Sequence, residues 1–159
     1  MTGHEAEASA LFCQGCNCAQ AVFTAFCDVT GMDRQTALRL SSSFGAGMGR
    51  LRQTCGAVSA MCMVAGMLYG FGEHCDTAEK ARHYARIQAL AGAFQEQFGT
   101  LSCQELLKNV ATTPGVAPEA RTEQYYKARP CVRFVAAAAR ILDDYLAENP
   151  PDRIMPSGK

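Results

Sequence analysis

Apolar residues along this chain recur every three or four positions rather than every second one. The segment 76–98 is the clearest case: Tyr84, Ile87, Leu90, Ala91, Phe94 and Phe98 share one helical face. No stretch shows sustained alternation of β-branched residues, so strands are not expected. Ala, Leu, Met, Gln, Glu and Arg dominate, and all favour helix. The fold class read from this pattern is all-α. It is expected to be a single-domain bundle of about five to seven helices, mainly antiparallel because the connections are short. The bundle is expected over residues 1–149. An irregular tail is expected over 150–159, where Pro150, Pro151 and Pro156 fall.

Capping residues divide the chain further. A first helix is expected over about 5–14, ending near Gly15. Asn17 and Gln20 read as a capping box opening a helix through about Val29, closed by Gly31. Asp33 caps the next, to about Phe44, where Gly45, Gly47 and Gly49 stop it. Thr54 is placed to cap an apolar helix ending near Gly70 or Gly72. Asp76 with Glu79, and Ser102 with Glu105, read as two more capping boxes. They open helices to about Phe98 and about Val110. Pro114, Gly115 and Pro118 mark a loop. A helix from about Glu119 is expected to end before Pro130, which suits the first turn of a last helix to about Glu148.

The uncharged run from Gln53 to Gly72 is long enough to span a bilayer. Its glycines, Ser59 and polar flanks instead fit a helix buried on all sides of a bundle, so no direct membrane insertion is expected. Composition narrows the function classes. Fifteen basic and fifteen acidic side chains give zero formal net charge, so nothing points to nucleic acid. Residues 1–11 carry acidic residues and no Lys or Arg, unlike a secretory or transit sequence. Nine cysteines in that setting point to the reducing cytoplasm, where thiols stay free unless they bind metal or do redox work.

Four of these cysteines occupy equivalent places. Cys18 follows Asn17, Cys55 follows Thr54, Cys103 follows Ser102 and Cys131 follows Pro130. Each is thereby expected in the first turn of a helix, where free N–H groups and the helix dipole favour a thiolate. Arg50, Arg52 and Arg129 lie near enough in sequence to add to that effect. In an antiparallel bundle an even number of helix crossings separates each of the four from the next, so all would meet at one end. Packed core cysteine is the plainer reading of any one of them alone. Cys13 and Cys16 form a C-x-x-C without the βαβ setting of a thioredoxin, and Cys16 can assist Cys18. Cys62, two turns below Cys55, reads as core or as a resolving thiol, and Cys27 and Cys75 as structural residues at the far end. The glycine run at 45–49 reads as a tight helix exit beside Cys55, or as a wall of the thiol site. His4, His74 and His83 form no metal-ligand pattern.

Gly15 to Phe23, Phe44 to Arg50, the Cys55-Gly56-Ala57 segment, Cys103 to Leu107 and Cys131 together resemble the C_GCAxxG_C_C family, described as putative redox-active proteins. The resemblance covers about 8–146. Ala60 stands where the family's motif ends in glycine, and Cys16 where an aromatic residue is common. The resemblance implies redox activity at Cys18, Cys55, Cys103 and Cys131. Cys16, Gly47, Gly49, Arg50 and Gly56 are expected to support them. The resemblance also implies a redox partner or a small thiol or disulfide substrate, and a link to a transporter-associated system.

Three functions stay open on the sequence. The first is a thiol–disulfide oxidoreductase, in which sequence order alone pairs Cys18 with Cys55 and Cys103 with Cys131. The second is an iron–sulfur or zinc site held by Cys18, Cys55, Cys103 and Cys131. Against it, the separations of 37, 48 and 28 positions lack metal-binding knuckles. The third is a helical interaction protein associated with a transporter, with the cysteines as packing.

Overall fold

A computed structural model describes residues 3–152 of the chain. Among the described residues there are nine right-handed α-helices and no strand. They are α1 (Gly3–Cys13), α2 (Cys18–Ala25), α3 (Cys27–Thr30), α4 (Arg34–Ser41), α5 (Gly56–Tyr69), α6 (Thr77–Phe98), α7 (Cys103–Leu106), α8 (Glu123–Ala128) and α9 (Cys131–Glu148). Six of them have eight residues or more; α3, α7 and α8 are single turns or little longer. The fold is an all-α bundle. Residues 150–152 are not helical, and the rest of the expected tail, Pro156 included, lies outside the described residues.

The apolar helices α2 and α5 lie against each other at the centre, with α9 across both. Helix α1 closes the bundle against α2 and α9, and α6 lies on α5 and α9. Small residues let these axes approach. Ala19, Ala21, Ala57, Ala60, Ala65, Ala138 and Ala139 are fully buried, and Phe23, Phe26, Met61, Phe94 and Leu142 fill the spaces between them. Helix α6 buries only Leu90 and Phe94, so its first half runs along the surface and Tyr84 is exposed. No described helix is long and apolar enough to cross a membrane.

Capping chemistry places most ends where the sequence puts them. Asn17 accepts from the backbone N–H groups of Ala19 and Gln20, while Gln20 accepts from Asn17 N–H. Asp76 and Glu79 form the same reciprocal pair. Gly31 and Gly99 end their helices in the left-handed region. Four expectations are corrected. The helix from Asn17 breaks at Phe26, whose ring is buried and stacked on His4 with centroids 4.1 Å apart. Thr54 does not cap α5; it pairs with Ser102 in a single antiparallel bridge, and Cys55 itself is the cap residue. Ser102 caps α7, but its own N–H donates to Thr100 Oγ1 instead of to Glu105, and α7 stops at Leu106. The helix expected from Glu119 starts only after Thr122, because Glu119 is held elsewhere.

The connection between α4 and α5 holds the least ordinary backbone. After a 3-10 turn at Ser42–Phe44, the chain winds left-handed: φ is 55° at Ala46, 73° at Gly47, 69° at Met48, 56° at Gly49 and 70° at Arg50. Gly49 N–H donates to Gly45 O with the spacing of one helical turn, and Gln53 N–H to Gly47 O at 3.0 Å ties the exit of the segment back onto it. Such backbone costs an L-residue about 1–2 kcal/mol. Glycine relieves that cost at Gly47, where a Cβ would also meet Gln53 N at 2.7 Å. Ala46, Met48, Arg50 and Arg52 bear it.

Candidate active site

Cys18, Cys55, Cys103 and Cys131 line one cavity of about 260 Å³, and all four are free thiols. Four separate elements bring them there. Cys18 opens α2, fixed by the Asn17 cap. Cys55 precedes α5 and Cys103 opens α7, and the two are clipped together by backbone. Cys55 N–H donates to Leu101 O at 2.8 Å and Cys103 N–H to Gln53 O at 2.7 Å, on either side of the Thr54–Ser102 bridge. Cys131 opens α9 after Pro130. Gly56 lets α2 reach α5: a Cβ there would stand 2.6 Å from Cys18 Sγ and 2.6 Å from Phe44 O.

The expected lowering of thiol pKa by helix ends does not hold for three of the four. Burial pushes Cys55 well above the ordinary thiol value, and the charge of Cys18 adds to this. The N–H groups of Ala57 and Val58 do bond Cys55 and pull the other way, but a 5 % exposed thiol loses more by desolvation than two donors return. Burial also raises Cys103, against the hydrogen bond from Arg52 at 4.0 Å. Cys131 is pushed up to about 12 by burial and then by the Cys18 charge, with Arg129 and Arg121 opposing. Cys18 is the shared neighbour: its charge acts on each of the other three.

Four guanidinium groups line the same cavity. Two are committed to a strap formed by the loop after α7. Arg50 donates through Nε to Gly115 O at 2.8 Å and through Nη2 to Thr113 O at 2.7 Å. The buried Arg129 pairs with Glu119, which also accepts from Thr113 N–H at 2.8 Å. The other two are not fully used. Arg52 reaches Cys103 Sγ through Nη1, and its buried Nη2 has no partner among the described residues. Arg121 donates Nη2 to Cys16 O and stacks on Phe12 and Tyr125, both 4.7 Å away, while its buried Nη1 is likewise unpartnered. A buried donor left unsatisfied costs about 1–3 kcal/mol, and more when charged.

Of the supporting residues named from the sequence, Gly49 and Arg50 line the cavity. Gly47 and Gly56 do not, but shape the backbone on which it is built. Cys16 contributes its carbonyl, to Arg121. Cys62 is partly buried on α5, and Cys27 lies by His4 and Asp28 at another depression. The sequence reading missed Arg121 and Glu119. Both were expected on a helix from about Glu119; the helix starts only at Glu123, and the extended stretch before it brings them to the thiols.

A family model matches residues 16–145 and is described as C_GCAxxG_C_C, putative redox-active protein. The chain belongs to that family. No curated protein and no solved structure matches it. Family membership supports a general redox role and redox partners. Among the described residues, no group of three or more His, Cys, Asp or Glu side chains is placed to hold a metal ion.

Proposed function

We propose that this protein is a cytoplasmic thiol–disulfide redox protein in which Cys18 attacks and Cys55 resolves. One observation carries the reading: four free thiols on four separate elements line the same cavity, with the half-buried Cys18 in electrostatic reach of the other three. Cys18 is favoured as attacker because Cys55 and Cys103 are buried and held protonated. Cys55 is favoured as resolver because Cys18 Sγ lies against Gly56, the residue next to it.

In the reaction, the Cys18 thiolate attacks one sulfur of a substrate disulfide. The S–S bond breaks, one substrate thiolate leaves, and a mixed disulfide remains on Cys18. Cys55 then gives up its proton and attacks Cys18 Sγ, releasing the second substrate thiol. The substrate gains two electrons and two protons, and the protein holds a Cys18–Cys55 disulfide. A dithiol reductant returns it to the starting state. Cys103 and Cys131 form a second pair to which that disulfide can pass.

The test is mass mapping after reaction with bis(2-hydroxyethyl) disulfide. Wild-type protein should carry a Cys18–Cys55 bridge, and Cys55→Ser should stall with one adduct on Cys18. Adducts on Cys13 or Cys75 only, with Cys18 untouched, would remove the proposal.

A further inference from the structure

We infer that the cavity selects a substrate carrying a carboxylate: a small organic disulfide with an anionic end, held by Arg52 and Arg121. The inference rests on the dithiol reading for its chemistry, but its binding half stands on the arginines alone. Arg129 is answered by Glu119, and Arg50 by the carbonyls of the strap. Arg52 and Arg121 carry charge that no lining carboxylate answers, since Glu119 is the lone acidic group on the cavity wall. Each also has one buried guanidinium nitrogen without a partner among the described residues. Both guanidinium groups line the cavity and leave it with an excess of positive charge, which suits a carboxylate, an anion that guanidinium binds with directional, charge-assisted bonds.

The rest of the wall argues for an organic molecule rather than a bare inorganic oxyanion. Phe12, Leu106, Leu107 and Phe134 line the same space, and apolar contact with a hydrated inorganic ion gains nothing. A short alkyl chain between carboxylate and sulfur would lie against these residues. Its disulfide would then be presented to Cys18, while its charge rests against Arg52, which already touches Cys103, and Arg121, whose charge acts on Cys131.

The binding test uses suberate, which matches 3,3′-dithiodipropionate in chain length and charge but has no disulfide. Calorimetry on the reduced full-length protein should show suberate binding at least tenfold more tightly than neutral 1,8-octanediol. Arg52→Gln and Arg121→Gln should each weaken suberate by about tenfold or more, with little effect on the diol. Equal affinity for suberate and diol, or arginine variants that bind suberate like wild type, overturns the inference. So does sulfate that displaces suberate at equal concentration, which would make the site one for inorganic oxyanions. Thiol consumption is measured in parallel with 3,3′-dithiodipropionate and bis(2-hydroxyethyl) disulfide. A tenfold lower KM for the anionic disulfide supports both readings. Equal KM values overturn the anion site and leave the dithiol chemistry standing. Suberate binding with neither disulfide consuming Cys18 overturns the dithiol chemistry and leaves the anion site standing.

Discussion

Replacing Gly56 with alanine should damage the thiol site and the fold together. The added Cβ would stand 2.6 Å from both Cys18 Sγ and Phe44 O. The sulfur can turn away, but the carbonyl belongs to backbone leading into the left-handed turn and has little room to yield. Helices α2 and α5 must then separate by several tenths of an ångström at their closest point. Overpacking of this kind costs about 1–3 kcal/mol. The alanine recovers at most about 1 kcal/mol in helix propensity, and less at a first-turn position. Net destabilisation should therefore be on the order of 1–2 kcal/mol. Gly66 supplies the control: it lies within the same helix, and a Cβ there meets nothing within 4 Å. Gly66→Ala should stabilise by about 0.4–1 kcal/mol. Both are read by urea unfolding under reducing conditions, followed by helical circular dichroism. Adding Cys18→Ala to Gly56→Ala should recover part of the loss, because one of the two clashes disappears. If Gly56→Ala unfolds at the same urea concentration as Gly66→Ala, the close approach of α2 and α5 is wrong, and with it the seat of Cys18 against Gly56.

Three further outcomes follow from the same coordinates. Burial raises Cys55, Cys103 and Cys131 above an ordinary thiol, so their contribution to stability is complete below about pH 9, the unfolded value, and lost as pH rises toward their folded values, about 12 for Cys131. The urea midpoint should fall above pH 9, and by less in Cys131→Ala; a flat profile refutes the burial. His4, stacked on Phe26 and bonded to Asp28 and Asp143, has a raised pKa because the two carboxylates outweigh its burial. Its stabilisation is complete below pH 6.5 and lost as pH climbs through the raised folded value, so His4→Ala should flatten the stability profile above pH 6.5, while an unchanged slope refutes it. Met48 is half exposed at φ 69°, so Met48→Gly should raise stability by up to about 1 kcal/mol, whereas a clear loss would refute the left-handed turn.

The helical skeleton was legible because it is written locally. Asn17 with Gln20, Asp33, Asp76 with Glu79, Gly31 and Gly99 each act within one turn, and the structure uses each as the sequence implies. Thr54 failed because its alternative partner, Ser102, lies 48 positions away and offered a bridge in place of a cap. Glu119 failed because Arg129 and Thr113 N–H hold it in the strap. The left-handed turn could not be read at all, since Ala46, Met48 and Arg50 are residues that ordinarily avoid that conformation. Its glycines announced a stop, not the direction in which the chain would wind.

That turn connects the strain in the backbone with the chemistry of the cavity. Ala46, Gly49, Arg50 and Arg52 all line the cavity, and they come from the left-handed winding and its exit. A right-handed continuation of α4 would distribute these residues around a helix. The left-handed winding instead brings Arg50 to the strap and Arg52 to Cys103 over three positions. Strained backbone persists where surrounding structure over-determines it. Here the bridge to Ser102 and the bond from Gln104 N–H to Arg52 O hold its exit in place. In the proposed mechanism, burial raises the pKa of Cys55 and Cys103, so exchange would begin at Cys18. An anionic substrate seated on Arg52 would draw that guanidinium toward the ligand and away from Cys103, leaving Cys103 still less able to ionise. Under that proposal, attack by Cys18 and resolution by Cys55 would be favoured over reaction at Cys103.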